Sequence, residues 1–198
     1  MTGIILASVG VGVALGYWVI PDALVGYLDT MTSVALFILL FTVGVELGQQ
    51  KETWAKLMKM GWRVILVPIL VAIGSVAGAV VVGYFMGMPL NESSAIGAGF
   101  GWYSLSGVLL AKIYSVELGA LAFVTNVARE LMAFLLIPLV AKYVGQYSAI
   151  APGGATTMDT TLPVISKSTN SDIAVVAFIN GSVLTALVPM LVPMLIKL

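Results

Sequence analysis

The chain has 198 residues, 60% hydrophobic and 9% charged, with nine basic and nine acidic side chains that cancel to a formal net charge of zero. Soluble domains carry roughly a quarter charged residues, so this composition belongs in a bilayer, and the charge balance gives no footing for a nucleic-acid partner. Cysteine and histidine are both absent, which excludes disulfides, thiol catalysis, the usual zinc sites and histidine proton relays, and leaves carboxylates as the titratable candidates. No cofactor and no metal site is expected.

Spanning a bilayer takes about 20 mostly apolar residues. The pattern predicts an all-α polytopic membrane protein, one transmembrane domain over residues 1–198, with five clear transmembrane helices and two further segments broken by glycine and proline or re-entrant. The first span is 2–20. It lacks a basic leading region and a small-residue cleavage site, so it reads as a retained helix. The loop "PDALVGYLDT" follows, with Asp22 and Asp29, and then a second span at 31–47. After it, "QQKETWAKLMKMGWR" sets Lys51, Lys56, Lys59 and Arg63 against Glu52 alone, which places that loop in the cytoplasm, the preceding one outside and the N-terminus inside. Within it Trp54, Leu57 and Met58 share one helical face, as in a helix lying at the headgroups.

Glu46 closes the second span in "FTVGVELG" between Gly44 and Gly48. It is either an interfacial residue or a carboxylate that a substrate approaches closely. The third span is 62–86. Its Gly74 and Gly78, like Gly12 and Gly16 in the first, have the spacing of close helix contacts.

The first broken segment, 94–113, carries "GAGFGWYSLSGVLLAKIYS". Trp102, Tyr103, Ser104 and Ser106 beside glycines either line a substrate cavity, where an aromatic ring can stack on a cation, or form an interfacial belt. If the segment crosses, Lys112 falls on an inside turn. The fourth span, 118–140, holds the unusual feature of the chain, Arg129 and Glu130 side by side in "TNVARELMAFLLIPL". Each charge at mid-span costs roughly 2.5–3.5 kcal/mol, and neighbours on a helix point about 100° apart, so each needs its own partner or water. Glu130 shares a face with Asn126, and Arg129 with Thr125.

The second broken segment, 147–166, includes "APGGATTMDTTLPVISKS". Pro152, Gly153, Gly154 and Pro163 interrupt regular helix, and Thr156, Thr157, Thr160, Thr161 and Asp159 supply polar groups. Irregular backbone at membrane depth must be satisfied by protein or by a water-filled cavity, and half-helix ends there bind charged groups. A final span covers 173–196. If both broken segments cross, the chain has seven crossings and its C-terminus is outside; if the second re-enters, Lys167 stays outside and the C-terminus ends inside.

Together "FTVGVELG", "GFGWYSLSG", "NVAREL" and "APGGATTMDTTLPVI" resemble the prokaryotic lysine exporter family of the LysO type, along nearly the whole chain. The resemblance implies a multi-pass protein of the prokaryotic cytoplasmic membrane, a secondary transporter that exports L-lysine and toxic analogues such as thialysine, in which intramembrane acidic residues act. Glu130 matches the acidic position of the family's "ARE" motif. Many members carry an additional N-terminal hydrophobic region with another embedded acidic residue. The implied partners are L-lysine or a related cationic amino acid, protons, the lipid bilayer, and a homo-oligomer or a small subunit supplying that region.

Glu130, Arg129, Glu46, Asp159 and Asn126 are therefore the candidate substrate and proton groups, and Trp102, Tyr103, Ser104, Ser106, Gly153, Gly154, Thr156 and Thr157 the candidate cavity lining. Glu130 would neutralise an ammonium. Either Arg129 or the amide-rich start of a half-helix around 154–157 would hold the substrate carboxylate. Burial disfavours a charged carboxylate and a nearby cation favours it, so one site that takes a proton or lysine exchanges them, which gives proton antiport. The competing readings are a cation/proton antiporter and a non-autonomous subunit of a split transporter. A hydrolase built on Glu130 with Asp159 or Glu46 is disfavoured, because no Ser/His arrangement accompanies them. The protein is not expected to be an enzyme.

Overall fold

The computed structural model describes residues 25–49 and 63–198 continuously, together with positions 7, 10–12, 14–16, 18 and 19. Most of the expected first span and the whole lysine-rich stretch with Trp54, Leu57 and Met58 lie outside the described residues. The chain divides into two compact units, Met1–Val43 and Gly44–Leu198. Helix α1, Val25–Gln49, covers the expected second span. Its threonines fit an apolar helix because their hydroxyls fold back on the preceding turn, Thr32 donating to the Leu28 carbonyl at 2.8 Å and Thr42 to that of Ile38 at 2.7 Å.

The second unit continues with α2 (Arg63–Phe85), α3 (Leu90–Gly97), α4 (Tyr103–Ile113) and α5 (Val116–Tyr143). Two 3-10 turns, Ser148–Ile150 and Gly154–Met158, then lead to α6 (Leu162–Ser168) and α7 (Ser171–Leu195). Helices α2, α5 and α7 are long and apolar enough to cross a membrane. Capping sets the starts of α5 and α7: Ser115 Oγ accepts from the Leu118 amide, and Asn170 Oδ1 from that of Ile173. The exposed side chains of α2, such as Ile69, Leu70, Ile73, Val81 and Val82, are apolar, as a lipid-facing surface requires. The packed interior at the Arg63 end gathers Val64, Ala133, Ile137, Ile150, Ile165 and Ile173.

Both broken segments double back. Tyr114, just past α4, donates its hydroxyl to Glu92 near the start of α3 at 2.8 Å, so the α3–α4 hairpin enters and leaves at the Phe85 end. The second segment does the same at the opposite end, where Asn170 donates to Gln146 at 2.7 Å. Asn91 also donates to the Ile196 carbonyl, which brings the C-terminus to the Phe85 end. Of the two readings of 94–113, broken or re-entrant, the hairpin is the re-entrant one, and this corrects the placement of Lys112, which lies at the end opposite Arg63 and not on the inside turn that a crossing would have given it. Lys167 lies at the Arg63 end. Two returns leave the end-to-end parity of the chain as two crossings would have left it.

Small residues set the closest helix approaches, though not those expected. A Cβ on Gly119 would stand 2.6 Å from the Gly107 carbonyl and 2.5 Å from the Ala111 Cβ, so α4 lies on α5 through bare backbone. Around Gly74 and Gly78 there is open space among the described residues.

Candidate functional site

The tips of the two hairpins meet between the spanning helices. At the first tip the backbone turns through left-handed conformations at Phe100 (φ 49°) and Gly101 (φ 97°). This aims the Phe100 carbonyl at the second tip, where it accepts from the Ala155 amide at 2.8 Å. Gly154 (φ 60°) allows that approach, because a Cβ there would collide with the Phe100 oxygen and stand 2.9 Å from the Arg129 guanidinium.

Side chains of the spanning helices hold both tips. Asn126 accepts from the Gly101 amide at 2.7 Å and donates to the carbonyls of Ile96 at 3.3 Å and Ala122 at 2.9 Å, with Ser106 Oγ at 3.4 Å. Arg129, at the midpoint of the 28-residue α5, donates from Nε to the Pro152 carbonyl at 3.2 Å and from Nη2 to that of Ala151 at 3.2 Å. Its Nη1 donates to Ser75 Oγ at 2.5 Å, and that hydroxyl donates to the Gly97 carbonyl at 2.9 Å. From α7, Asn180 Nδ2 donates to the Gly154 carbonyl and to Thr157 Oγ1, each at 3.0 Å. The orphan carbonyls of irregular backbone at membrane depth are thus met one by one.

Glu130 stands apart from this network. The helical rotation that turns Arg129 to the second tip turns Glu130 into the interior, between Asn126 and Ala133 on the buried stripe of α5. It is 1% exposed, and neither carboxylate oxygen has a hydrogen-bond partner among the described residues. The buried Oδ1 of Asn180 also lacks one. An unpaired buried acceptor costs about 1–3 kcal/mol, more when charged, and a cation or a proton at Glu130 would relieve that cost.

Arg129 is half-buried and opens on a groove of about 630 Å³ between α2, α5 and the second hairpin, lined by Gly74, Ser75, Gly78, Arg129, Ala151 and Pro152 among others. No carboxylate pairs with it among the described residues; its partners are two carbonyls and a hydroxyl. Asp159 is exposed at the second tip, accepting from the Thr160 amide at 2.5 Å. The adjacent Met158 accepts from Thr185 of α7 at 3.5 Å. The side chain of Glu46 lies outside the described residues.

The other expected residues build the tips. Thr157 Oγ1 contacts the Gly154 and Ala177 carbonyls at 2.8 and 2.7 Å, and Thr156 Oγ1 contacts the Gly153 carbonyl and Thr161 Oγ1. Ser106 donates to the Trp102 carbonyl at 2.8 Å. Tyr103 packs edge-on against Phe123, ring centroids 5.5 Å apart; Trp102 and Ser104 are half-buried. The Ala155 and Thr156 amides at the half-helix start are spent on the carbonyls of Phe100 and Gly153. Sequence reasoning missed Ser75 and Asn180. Asn180 carried a signal, a lone amide inside an apolar span, whereas Ser75 reads as one more small residue of α2.

The sequence profile of a family described as "Lysine exporter LysO" matches residues 6–196. The lysine exporter LysO of Escherichia coli strain K12 is 36% identical over 157 residues, 79% of this chain and 52% of that protein, so the match spans about half of the relative's length. A candidate lysine exporter from Haemophilus influenzae is 31% identical over 187 residues, 94% of each chain. No solved structure matches the chain.

Proposed function

Because the chain belongs to the lysine exporter LysO family, we propose that it exports L-lysine and close analogues such as thialysine across the prokaryotic cytoplasmic membrane, as a secondary transporter with Glu130 at its centre. One observation carries the assignment of the site: a carboxylate at the midpoint of a spanning helix, 1% exposed, with no hydrogen-bond partner among the described residues.

A structural carboxylate at that depth would be expected to keep a permanent partner, since removing one member of a buried pair costs about 3–5 kcal/mol. A transport carboxylate must instead give its partner up. When the ammonium of lysine enters, the ion pair forms where the uncompensated charge stood; when lysine leaves, a proton takes its place. Mutual exclusion at one carboxylate couples the two flows without a second site. The hairpins, entering from opposite ends and meeting beside this helix, suit alternating access. The lysine-rich 51–63 stretch, with Lys142 and Lys167 at the Arg63 end, favours that end as cytoplasmic.

The test is counterflow of radiolabelled L-lysine in proteoliposomes, comparing wild type with Glu130→Gln, which keeps the shape and removes the charge. Lysine exchange in the wild type and none in the variant is the expected result. Exchange surviving in Glu130→Gln would remove Glu130 from the cycle. Wild-type protein that moves sodium or protons without lysine would replace the assignment by a cation/proton antiporter.

A further inference from the structure

The charge left over in the groove is positive. Arg129 has five N–H groups, and three are spent on Ala151, Pro152 and Ser75, which among the described residues leaves one on each terminal nitrogen. A guanidinium in this condition is matched by a carboxylate, which accepts two such N–H groups in parallel. Its position is fixed from three directions: Ser75 orients Nη1, the two carbonyls hold Nε and Nη2, and the backbone of Gly154 lies so close that a Cβ there would stand 3.1 Å from Cζ. A side chain held this firmly has its ordering cost already met. The groove in front of it, about 630 Å³, has room for an amino acid. Glu130 turns the other way and is closed off.

Resting on the transport reading above, we infer that Arg129 anchors the carboxylate of the transported amino acid in this groove, so the protein selects its substrate by the carboxylate as well as by the cationic group. Binding is then sequential. The carboxylate docks on Arg129 while Glu130 is still enclosed, and the ammonium reaches Glu130 only when the second hairpin shifts. A polyamine, which has ammonium groups and no carboxylate, lacks the first contact.

The experiment is competition against radiolabelled L-lysine on the purified full chain in nanodiscs. The competitors are L-lysine, 6-aminohexanoate, which keeps the carboxylate and terminal ammonium, and cadaverine, which keeps both ammonium groups and lacks the carboxylate. Charge-assisted hydrogen bonds of this type correspond to roughly a tenfold to hundredfold difference in affinity, so 6-aminohexanoate should compete at least about tenfold better than cadaverine. Arg129→Gln should erase that gap, weakening lysine and 6-aminohexanoate and sparing cadaverine; for this variant cadaverine binding is read directly with labelled cadaverine. Parallel loss of all three ligands in a folded variant would make Arg129 a clamp for the hairpin and overturn the inference. If Arg129→Gln does not fold, Ser75→Ala serves: it frees Nη1 and should weaken the two carboxylate ligands alone, equal weakening again counting against the anchor. Wild type that binds cadaverine as well as lysine overturns the anchor and leaves lysine transport standing. Wild type that binds none of the three sinks the transport reading itself.

Discussion

Replacing Glu130 by leucine should make the protein more stable and inactive. The side chain is 1% exposed and unpartnered among the described residues, so no described hydrogen bond is broken when its oxygens are removed. The magnitude can be bracketed. If the site rests protonated, the gain is the relief of an unsatisfied buried polar group, about 1–3 kcal/mol. If it rests charged, the mid-span penalty of roughly 2.5–3.5 kcal/mol disappears and the small favourable contribution of leucine is added, for a gain of about 3–4 kcal/mol. For a chain of this size each kcal/mol moves the melting temperature by about 2–4 °C, so a shift of several degrees upward is expected in detergent. Glu130→Gln should gain less, because the amide is still polar. The assay is a fluorescence melt of both variants beside wild type, followed by lysine counterflow on the same preparations. A downward shift of comparable size would refute the reasoning. It would mean that Glu130 holds a permanent partner, whose loss costs about 3–5 kcal/mol, and that its place at mid-span is structural.

The remaining predictions concern the hairpins. Gly154→Ala adds about 1–2 kcal/mol for a left-handed conformation to a collision with the Phe100 carbonyl; it should lower the melting temperature and abolish transport. Gly78→Ala fills space that is open among the described residues and should leave stability unchanged or slightly raised; equal melts for the two variants would deny that the tips touch. The hydrogen bond to Glu92 pushes the Tyr114 phenol above its ordinary value of 10.0. Only the protonated phenol donates, so the closure at the mouth of the first hairpin persists below that value and is lost as pH rises through the raised one. The absorbance difference between wild type and Tyr114→Phe should therefore titrate above 10.0, and titration at or below it would mean the bond is not made. Because the chain has no cysteine, single cysteines report sidedness cleanly. An impermeant maleimide should label Lys112→Cys and Leu198→Cys from one side and Lys142→Cys and Lys167→Cys from the other, and a Lys112 label on the Lys167 side would restore a crossing first hairpin.

Hydropathy located α1, α2, α5 and α7 because burial in lipid demands long apolar runs, and glycine and proline marked both breaks because they end regular hydrogen bonding. Direction was not legible. A window of apolar residues counts length, and 94–113 is long enough to cross; its return depends on the pair Glu92 and Tyr114, polar residues 22 positions apart that no periodicity connects. The divergence of Arg129 and Glu130 followed from helical rotation alone. Their partners did not, because the groups that receive Arg129 are main-chain carbonyls of Ala151 and Pro152, and every residue has a carbonyl whatever its side chain. For the same reason the hydrogen bond between Phe100 and Ala155 is absent from any reading of side chains, and the hydroxyls of Ser106, Thr156 and Thr157, expected to line a cavity, serve backbone oxygens.

The adjacency of the two charges has an energetic consequence once their surroundings are known. In the sequential binding inferred above, the second hairpin moves to expose Glu130 to a ligand. This breaks the Ala155–Phe100 bond, worth about 0.5–1.5 kcal/mol net, and the two charge-assisted bonds from Arg129 to Ala151 and Pro152, worth about 1.5–3 kcal/mol each. In an empty transporter nothing offsets that sum, and Glu130 stays closed. A substrate that places a carboxylate on Arg129 pairs the N–H groups that Ala151, Pro152 and Ser75 leave over, while its ammonium removes the penalty of the unpaired carboxylate. The hydrogen bonds that opening breaks and the interactions an amino acid brings then fall in one energy range, so movement becomes accessible with substrate bound and costly without it. A dicarboxylate offers only the interaction with Arg129, and a diamine only the one with Glu130. On this argument tight coupling needs both charges of the substrate, and the transport reading provides for both with two neighbouring residues whose side chains leave one helix about 100° apart.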